Sequence, residues 1–462
     1  MARSSNGSPI TRLSDDQLLS ILLQLPTSSI LSFSLTCRRF RSLACSDTLW
    51  ESVCRRDWGV QCVDSMKPAV IRASSSAGGD GFCWMRVYRR VVEMDEVRCG
   101  RFGCGGGDEV AVVVPGARAS HSMNFVGGCL VVFGGGCEGG RQLDDTWVAC
   151  LGKDCKTVLK WQKTGSGFPS GRFGHTSVVI GDSLIVFGGI NDRGARLDDT
   201  WIGCVIQNEA FGPTLLWRPL EVGTSVPPPR GAHAACSIAN RKMLIFGGIG
   251  SNGLRLGDTW ILDLADNLNF GTWHEAVMRP SPPPRSGHTL TCIDGTRAVL
   301  FGGRGSGYEV LHDVWLFDTS LCRLKWKLLY FDLKAIPGGV SLPRVGHSAV
   351  VIIGGRVLVY GGEDSDRRRK NDFWLLDVNS IPSFKGCSFS ASAKALMMWR
   401  KLKVGSYKPN PRSFHAACTD YSGRFMYVFG GMMDGLVFPG DASGLRFDAE
   451  LFVAELVLHL EE

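Results

Sequence analysis

Three kinds of residue in this chain are able to do chemistry, and all three recur. A glycine pair closes an apolar run six times, at Gly134-Gly135, Gly188-Gly189, Gly247-Gly248, Gly302-Gly303, Gly361-Gly362 and Gly430-Gly431. Such a pair can cradle a phosphate when it follows a strand, opens a helix and carries a lysine or further glycines at fixed offsets. An arginine three residues ahead of a histidine precedes each pair: Arg118/His121, Arg172/His175, Arg230/His233, Arg285/His288, Arg344/His347 and Arg412/His415. A guanidinium grips carboxylate or phosphate with two parallel bonds, and histidine is a common metal ligand. After each pair an acidic residue stands two before an aromatic: Asp145/Trp147, Asp199/Trp201, Asp258/Trp260, Asp313/Trp315, Asp372/Trp374 and Glu450/Phe452.

The surroundings of these residues decide against most of that chemistry. Gly188-Gly189 is followed by charged turn residues and then by Thr200-Trp201-Ile202, which reads as a strand, so no helix opens behind it. Successive arginines lie 54, 58, 55, 59 and 68 residues apart. Each period holds four short segments rich in Val, Ile, Leu and aromatics, broken by Gly, Pro, Asn and Asp. A late tryptophan (Trp161, Trp217, Trp273, Trp326, Trp399) marks five of the six. Four strands per period of roughly 50 residues predict radial blades, hence a six-bladed β-propeller. Glycine then serves close backbone approach and positive φ near the axis, and the tryptophans fill the wider space between blades.

In that frame the six histidines are strand residues with partners, as buried polar atoms require. The six arginines sit before the innermost strands, around one mouth of the central channel. Two readings of them stay open. Each guanidinium either bonds carbonyls of the neighbouring blade, or joins a ring that binds acidic or phosphorylated protein segments. The sixth unit has Phe452 for tryptophan, an insert around Asp434–Phe447 and no fourth strand of its own. That strand must come from before Arg118, from Val97–Phe102 on spacing, or from Val110–Val114 on β-propensity.

The net charge of +7 is mild and spread along the chain, unlike the dense patch of a nucleic-acid binder. No apolar run approaches the ~18 residues of a membrane span, and MARSSNGSPITR lacks the core of a signal peptide. The expected location is therefore cytoplasm and/or nucleus, with neither nucleic acid nor membrane as partner. Seventeen cysteines, an odd number without a Cys-x-x-Cys, predict buried thiols rather than disulfides or zinc. No nucleophile elbow, metalloprotease helix or Walker loop is present, so neither catalysis, metal nor cofactor is expected. The basic run Arg367-Arg368-Arg369-Lys370 reads as a solvated loop partly neutralised by Glu363, Asp364 and Asp366, or as a nuclear-localisation signal.

The first ninety residues have a helical period instead. Ser14-Asp15-Asp16-Gln17 is a capping box. Leu18, Ile21, Leu22 and Leu25 follow at helical spacing until Pro26. A second helix is predicted from near Ser28 with Ile30, Phe33, Cys37 and Phe40 on one face. A third, capped by Ser46-Asp47, holds Leu49, Trp50, Val53 and Cys54. So few short helices bury little surface. They form either a bundle docked on the propeller or a module completed by a partner.

Leu13 to Trp50 closely resembles the F-box, through Leu13, Asp15-Asp16, Leu18, Ile21-Leu22, Leu25, Ile30, Ser34, Cys37-Arg38-Arg39, Phe40, Leu43 and Leu49-Trp50; Ser14 replaces a common proline. Residues 94–462 resemble kelch repeats. The resemblance implies an all-α F-box (10–57) behind a tail (1–9), a linker with a short helix (58–93) and the propeller (94–462). Trp84–Arg90 is the helix that often trails an F-box, and Ala73–Gly81 a flexible loop. Such a layout is that of plant F-box/kelch-repeat proteins. It implies a non-catalytic substrate receptor of an SCF-type ubiquitin ligase, for protein ubiquitination and proteasomal degradation. Leu13, Asp15, Leu18, Ile21, Leu22, Leu25, Ile30, Phe33 and Cys37 would meet the small Skp adaptor, and through it the cullin–RING ligase. The propeller would capture a protein, with Arg118, Arg172, Arg230, Arg285, Arg344 and Arg412 as the candidate contacts. A kelch scaffold acting without a ligase is the alternative.

Overall fold

The computed structural model of the chain describes residues 9–76, 83–102, 113–152, 154–208, 212–239, 241–319, 324–380, 390–435 and 444–459. They fall into two compact units, one of helices up to Met94 that also takes in the chain end from Val457, the other spanning Asp95–Leu456.

The helical unit opens with α1 (Asp15–Leu22), where Ser14 Oγ accepts from the Gln17 N–H and Gln17 Oε1 from the Ser14 N–H, completing the capping box. Next come α2 (Thr27–Ser34), α3 (Arg38–Ala44) and α4 (Asp47–Trp58). The single second helix expected from the sequence is thus two. Cys37 is the N-cap of α3, its sulfur accepting from the Phe40 N–H, so the chain turns where the apolar period seemed continuous. Ser46 precedes α4, but its hydroxyl makes no cap bond. Its neighbour Asp47 accepts from the Trp84 N–H at 2.6 Å instead.

The region 58–93 is more helical than a linker. Helix α5 (Val60–Ser76) runs through Pro68, because Val63, Met66 and Val70 bury one face and outweigh a propensity cost of about 3 kcal/mol. Ala73–Ser76 belong to that helix, not to a loop; 77–82 lie outside the described residues. Helix α6 (Trp84–Glu93) buries Trp84, Val87 and Val91, and Tyr88 stacks on Trp58. Val457 and Leu458, assigned to the propeller from sequence, are buried with the helical unit.

The second unit is a six-bladed propeller whose blades are antiparallel four-stranded sheets, two of them extended by a parallel fifth strand, Glu221–Val222 in blade 3 and Lys403–Ser406 in blade 6. Blade 2 shows the plan, with Thr176–Ile180, Ser183–Ile190, Arg196–Asn208 and Gly212–Pro219 in order from axis to rim. Blade 6 is built from both ends of the unit: Ala416–Thr419, Phe425–Phe429, Leu451–Leu456 and, as outer strand, Glu96–Arg101. The segment favoured on spacing therefore closes the ring; the competing 110–114 lies largely outside the described residues. Lys403–Ser406 then pairs in parallel with Glu96–Cys99 and covers the edge this strand would expose. The late tryptophans lie between blades as expected, Trp217 against Phe133, Trp273 against Phe187 and Trp326 against Phe246, with ring centres 4.9–5.5 Å apart.

Candidate functional site

Each repeat arginine is a staple within its own blade. Arg118 gives two bonds to the Asp145 carboxylate (2.7 and 3.2 Å) and one to the Gly134 carbonyl. Arg172 with Asp199, Arg230 with Asp258, Arg285 with Asp313 and Arg344 with Asp372 repeat the arrangement. The same carboxylate accepts the indole N–H of the tryptophan two residues on, at 2.7–2.8 Å in all five blades. Burial alone would raise these carboxyls, but the adjoining guanidinium more than offsets it and holds them below the ordinary range. In blade 6 Glu450 takes the acidic role. It accepts from Arg412, from Arg101 of the closing strand and from Tyr407 beside Lys403–Ser406, so one carboxylate ties the seam.

The peptide groups of the same arginines bind the preceding blade. The Arg172 carbonyl accepts from Gly135 N–H and its own N–H donates to Leu143, a pattern repeated at Arg118, Arg285, Arg344 and Arg412. This docking requires the glycines. A Cβ on Gly134 (φ +66°) would stand 2.9 Å from the Arg172 carbonyl and 3.0 Å from the His175 ring.

Between arginine and histidine, Ser120, Gly174, Ala232, Gly287, Gly346 and Phe414 all have φ between +54° and +65°. Each donates its N–H to the carbonyl of its counterpart on the preceding blade (2.6–2.9 Å), and Ser120 donates to Phe414. The six bonds close a belt around the axis. No sequence signal for it was read, yet the three non-glycine residues pay the left-handed cost of about 1 kcal/mol or more each.

The histidines are buried beside this belt, and burial with the nearby arginine holds all six well below their ordinary range, to about 3 at His175, His288 and His415. His175, His233, His347 and His415 share a hydrogen bond through Nε2 with a hydroxyl of the preceding blade: Ser122, Thr176, Thr289 and Ser348. The expectation of partnered histidines fails at His121 and His288, whose ring nitrogens find no hydrogen-bond partner among the described residues. The corresponding positions are Ala416 and Ala234, which carry no hydroxyl. Among the described residues no group of three His, Cys, Asp or Glu is placed to hold a metal, and the described cysteines form no disulfide with one another.

The reading of the six arginines as a substrate ring is therefore corrected. They are 0–1 % exposed and their donors are committed to the propeller itself. The rival reading, bonds to the neighbouring blade, holds for their peptide groups and not for their guanidiniums. The basic run is also only half a solvated loop. Arg367 and Arg368 are exposed, whereas Arg369 is 6 % exposed between Glu363 and Asp434, and Lys370 reaches Asp364.

The adaptor candidates divide likewise. Leu18, Leu22 and Ile30 are 0–1 % exposed and form the core of the helical unit, so they offer nothing to a partner. Asp15 is exposed, but its carboxylate is engaged by Arg39, which also donates to the carbonyls of Thr11 and Leu13. Leu13, Leu25 and Phe33 are half-buried, Phe33 stacked on Phe40 at 4.1 Å, and Cys37 caps α3. Ile21 is exposed, and with it Leu31 and Leu35, which the sequence reading passed over. Their i, i+4 spacing, on a helix end that needs only Ile30 for its core, was the available signal.

Fold and sites together define a helical F-box unit with a kelch propeller. The F-box-like family model matches residues 15–56, and the KLHDC2/KLHL20/DRC7 Kelch-repeats domain matches 108–211, 210–332 and 321–448. The chain belongs to the F-box/kelch-repeat proteins. It is similar to the F-box/kelch-repeat protein At1g51550 of Arabidopsis thaliana, at 55% identity over 98% of this chain and 94% of that one. Adagio protein 3 of the same plant is 30% identical over 91% of this chain, which spans 62% of that protein. Among solved structures, YjhT shares the fold, with a TM-score of 0.51 and 14% identity over 73% of this chain and 95% of that one.

Proposed function

We propose that this chain is the substrate-recognition subunit of an SCF-type ubiquitin ligase, with the helical unit docked on a Skp-type adaptor and the propeller holding a protein for ubiquitination. It breaks and makes no bond itself, and it works in the cytoplasm or nucleus. The observation that carries the adaptor half is surplus apolar surface. The helical unit fills its core with Leu18, Leu22, Ile30, Phe40, Leu49 and Trp50, yet leaves Ile21, Leu31 and Leu35 outside, Leu35 at 77 %. Membership of a family defined by the F-box supports the same reading.

Leu31→Asp/Leu35→Asp is expected to abolish co-purification of the Skp adaptor without changing the melting temperature, because burying unpaired carboxylates in an interface costs several kcal/mol. Leu22→Asp should instead unfold the helical unit. Undiminished adaptor recovery by the folded double variant would overturn the ligase assignment in favour of a scaffold.

A further inference from the structure

With the six repeat arginines spent inside the blades, a second set stands on the rim beside the axial belt. There the residue after each glycine pair bridges one on the returning segment: Gly136 with Gln142, Ile190 with Arg196, Ile249 with Arg255, Arg304 with Val310, Glu363 with Arg369 and Met432 with Phe447. Three blades thus place an arginine at the same register, and its neighbours differ. On blade 5 Arg369 bonds Asp434 at 2.6 Å and lies 3.4 Å from Glu363. Glu363 also meets Arg304 of blade 4 at 3.5 Å and accepts from Ser413 of blade 6. That side of the rim is neutralised.

On blades 2 and 3 no carboxylate among the described residues pairs with Arg196 or Arg255. Arg255 donates Nε to Ser286 Oγ of blade 4 at 3.1 Å, and its guanidinium carbon lies over the exposed Tyr308 ring, 4.5 Å from its centre. The counterpart of Ser286 for Arg196 is Gly231, where the Ile190 side chain occupies the space a side chain would need. Among the described residues Arg196 therefore bonds only the Gly194 carbonyl, at 2.7 Å, and its buried Nε has no partner. Of the carboxylates on the nearby tips, Asp192 accepts from the Gln142 N–H and Glu309 lies against Gly305 and Gly307 of its own turn.

We infer that Arg196 and Arg255, backed by Ser286 and Tyr308, form an oxyanion-binding site for the protein ligand of the propeller. The inference rests on the substrate-receptor reading and gives its ligand a chemistry. The captured segment presents carboxylate or phosphoryl oxygens over blades 2 to 4, where Arg196 and Arg255 face no carboxylate among the described residues, and not over blade 5, where Glu363 and Asp434 pair with the arginine at the same register. The Tyr308 ring and the Ser286 hydroxyl hold the Arg255 guanidinium through its carbon and Nε, and its terminal N–H groups make no hydrogen bond among the described residues.

The test uses the full-length chain and two labelled probes, octaglutamate and a Gly/Ser peptide of the same length carrying two phosphoserines. Binding is read by fluorescence anisotropy at about 50 and about 300 mM salt, since exposed charge pairs weaken as the screening length shrinks. At least one probe should bind, and Arg196→Gln/Arg255→Gln should weaken it about tenfold or more with the melting temperature unchanged. Whichever probe responds identifies the source of the oxyanion. Lys160→Gln/Lys325→Gln, which removes equal charge from exposed outer strands, should change binding less than about twofold. Equal loss in both double variants, or no loss in the first, would overturn the site. The adaptor plays no part in this assay, so its failure leaves the ligase reading to be judged by adaptor recovery alone.

Discussion

The helical unit and the propeller use conspicuous residues in opposite ways. In the propeller, charged and polar side chains repeated six times turn inward, the arginines to carboxylates and four of the six histidines to hydroxyls of the preceding blade. In the helical unit nothing repeats, and apolar side chains exceed what the core can take, so Ile21, Leu31 and Leu35 stay outside. What recurs in every blade solves a problem every blade has. What departs from the pattern, such as Arg196 beside Gly231 or leucine on a solvent face, is where a partner is to be sought.

Acid offers the widest test of that contrast. The buried histidines stay neutral in the folded propeller, while in the unfolded chain they take up protons near pH 6.5. Their contribution to stability is complete above pH ~6.5 and is lost as pH falls below it, towards about 3 at His175, His288 and His415. At about 1.4 kcal/mol per pH unit per group, the propeller should lose several kcal/mol by pH ~5, before the paired carboxylates titrate. Thermal melts between pH 7 and 5 check this, and a flat profile would mean that the imidazoles are hydrated.

A smaller effect separates staples from ligand contacts. Arg118→Ala leaves Asp145 buried without its partner and should cost about 3–5 kcal/mol in denaturant unfolding. Arg196→Gln/Arg255→Gln should cost nothing measurable, and a wild-type unfolding curve for Arg118→Ala would remove the distinction. The smallest effect repairs a departure. Ala234→Ser or Ala416→Ser gives His288 or His121 the hydroxyl that Ser348 gives His415, and should add about 1 kcal/mol each. A lowered melting point would show that these imidazoles face apolar atoms.

The strand count, the six blades and the capping box were legible in the sequence, because each rests on periodicity or local chemistry that few residue types satisfy; the closing segment was narrowed to two candidates, which spacing and β-propensity ranked in opposite order. Direction was not legible. Arginine before an inner strand suits a staple and a ligand contact equally, and only the Asp–x–Trp motif held the answer, read there as strand chemistry rather than as the arginine's partner. Ile21 and Leu22 likewise belong to one apolar pattern on α1, and only packing shows that Leu22 enters the core while Ile21 stays outside. Helix α5 escaped because Pro68 and the following serines argue locally for a break, while burial of Val63, Met66 and Val70 is non-local.

The central claim is that one chain couples a captured protein to ubiquitin transfer through its helical unit. It is tested most directly by tagging the full chain and its Leu31→Asp/Leu35→Asp variant, blocking the proteasome, and measuring both capture and ubiquitination of the proteins that co-purify. The account predicts equal capture by the two chains, with ubiquitin-modified forms accumulating on the wild type and absent from the variant. Equal ubiquitination of the captured proteins in both would contradict it.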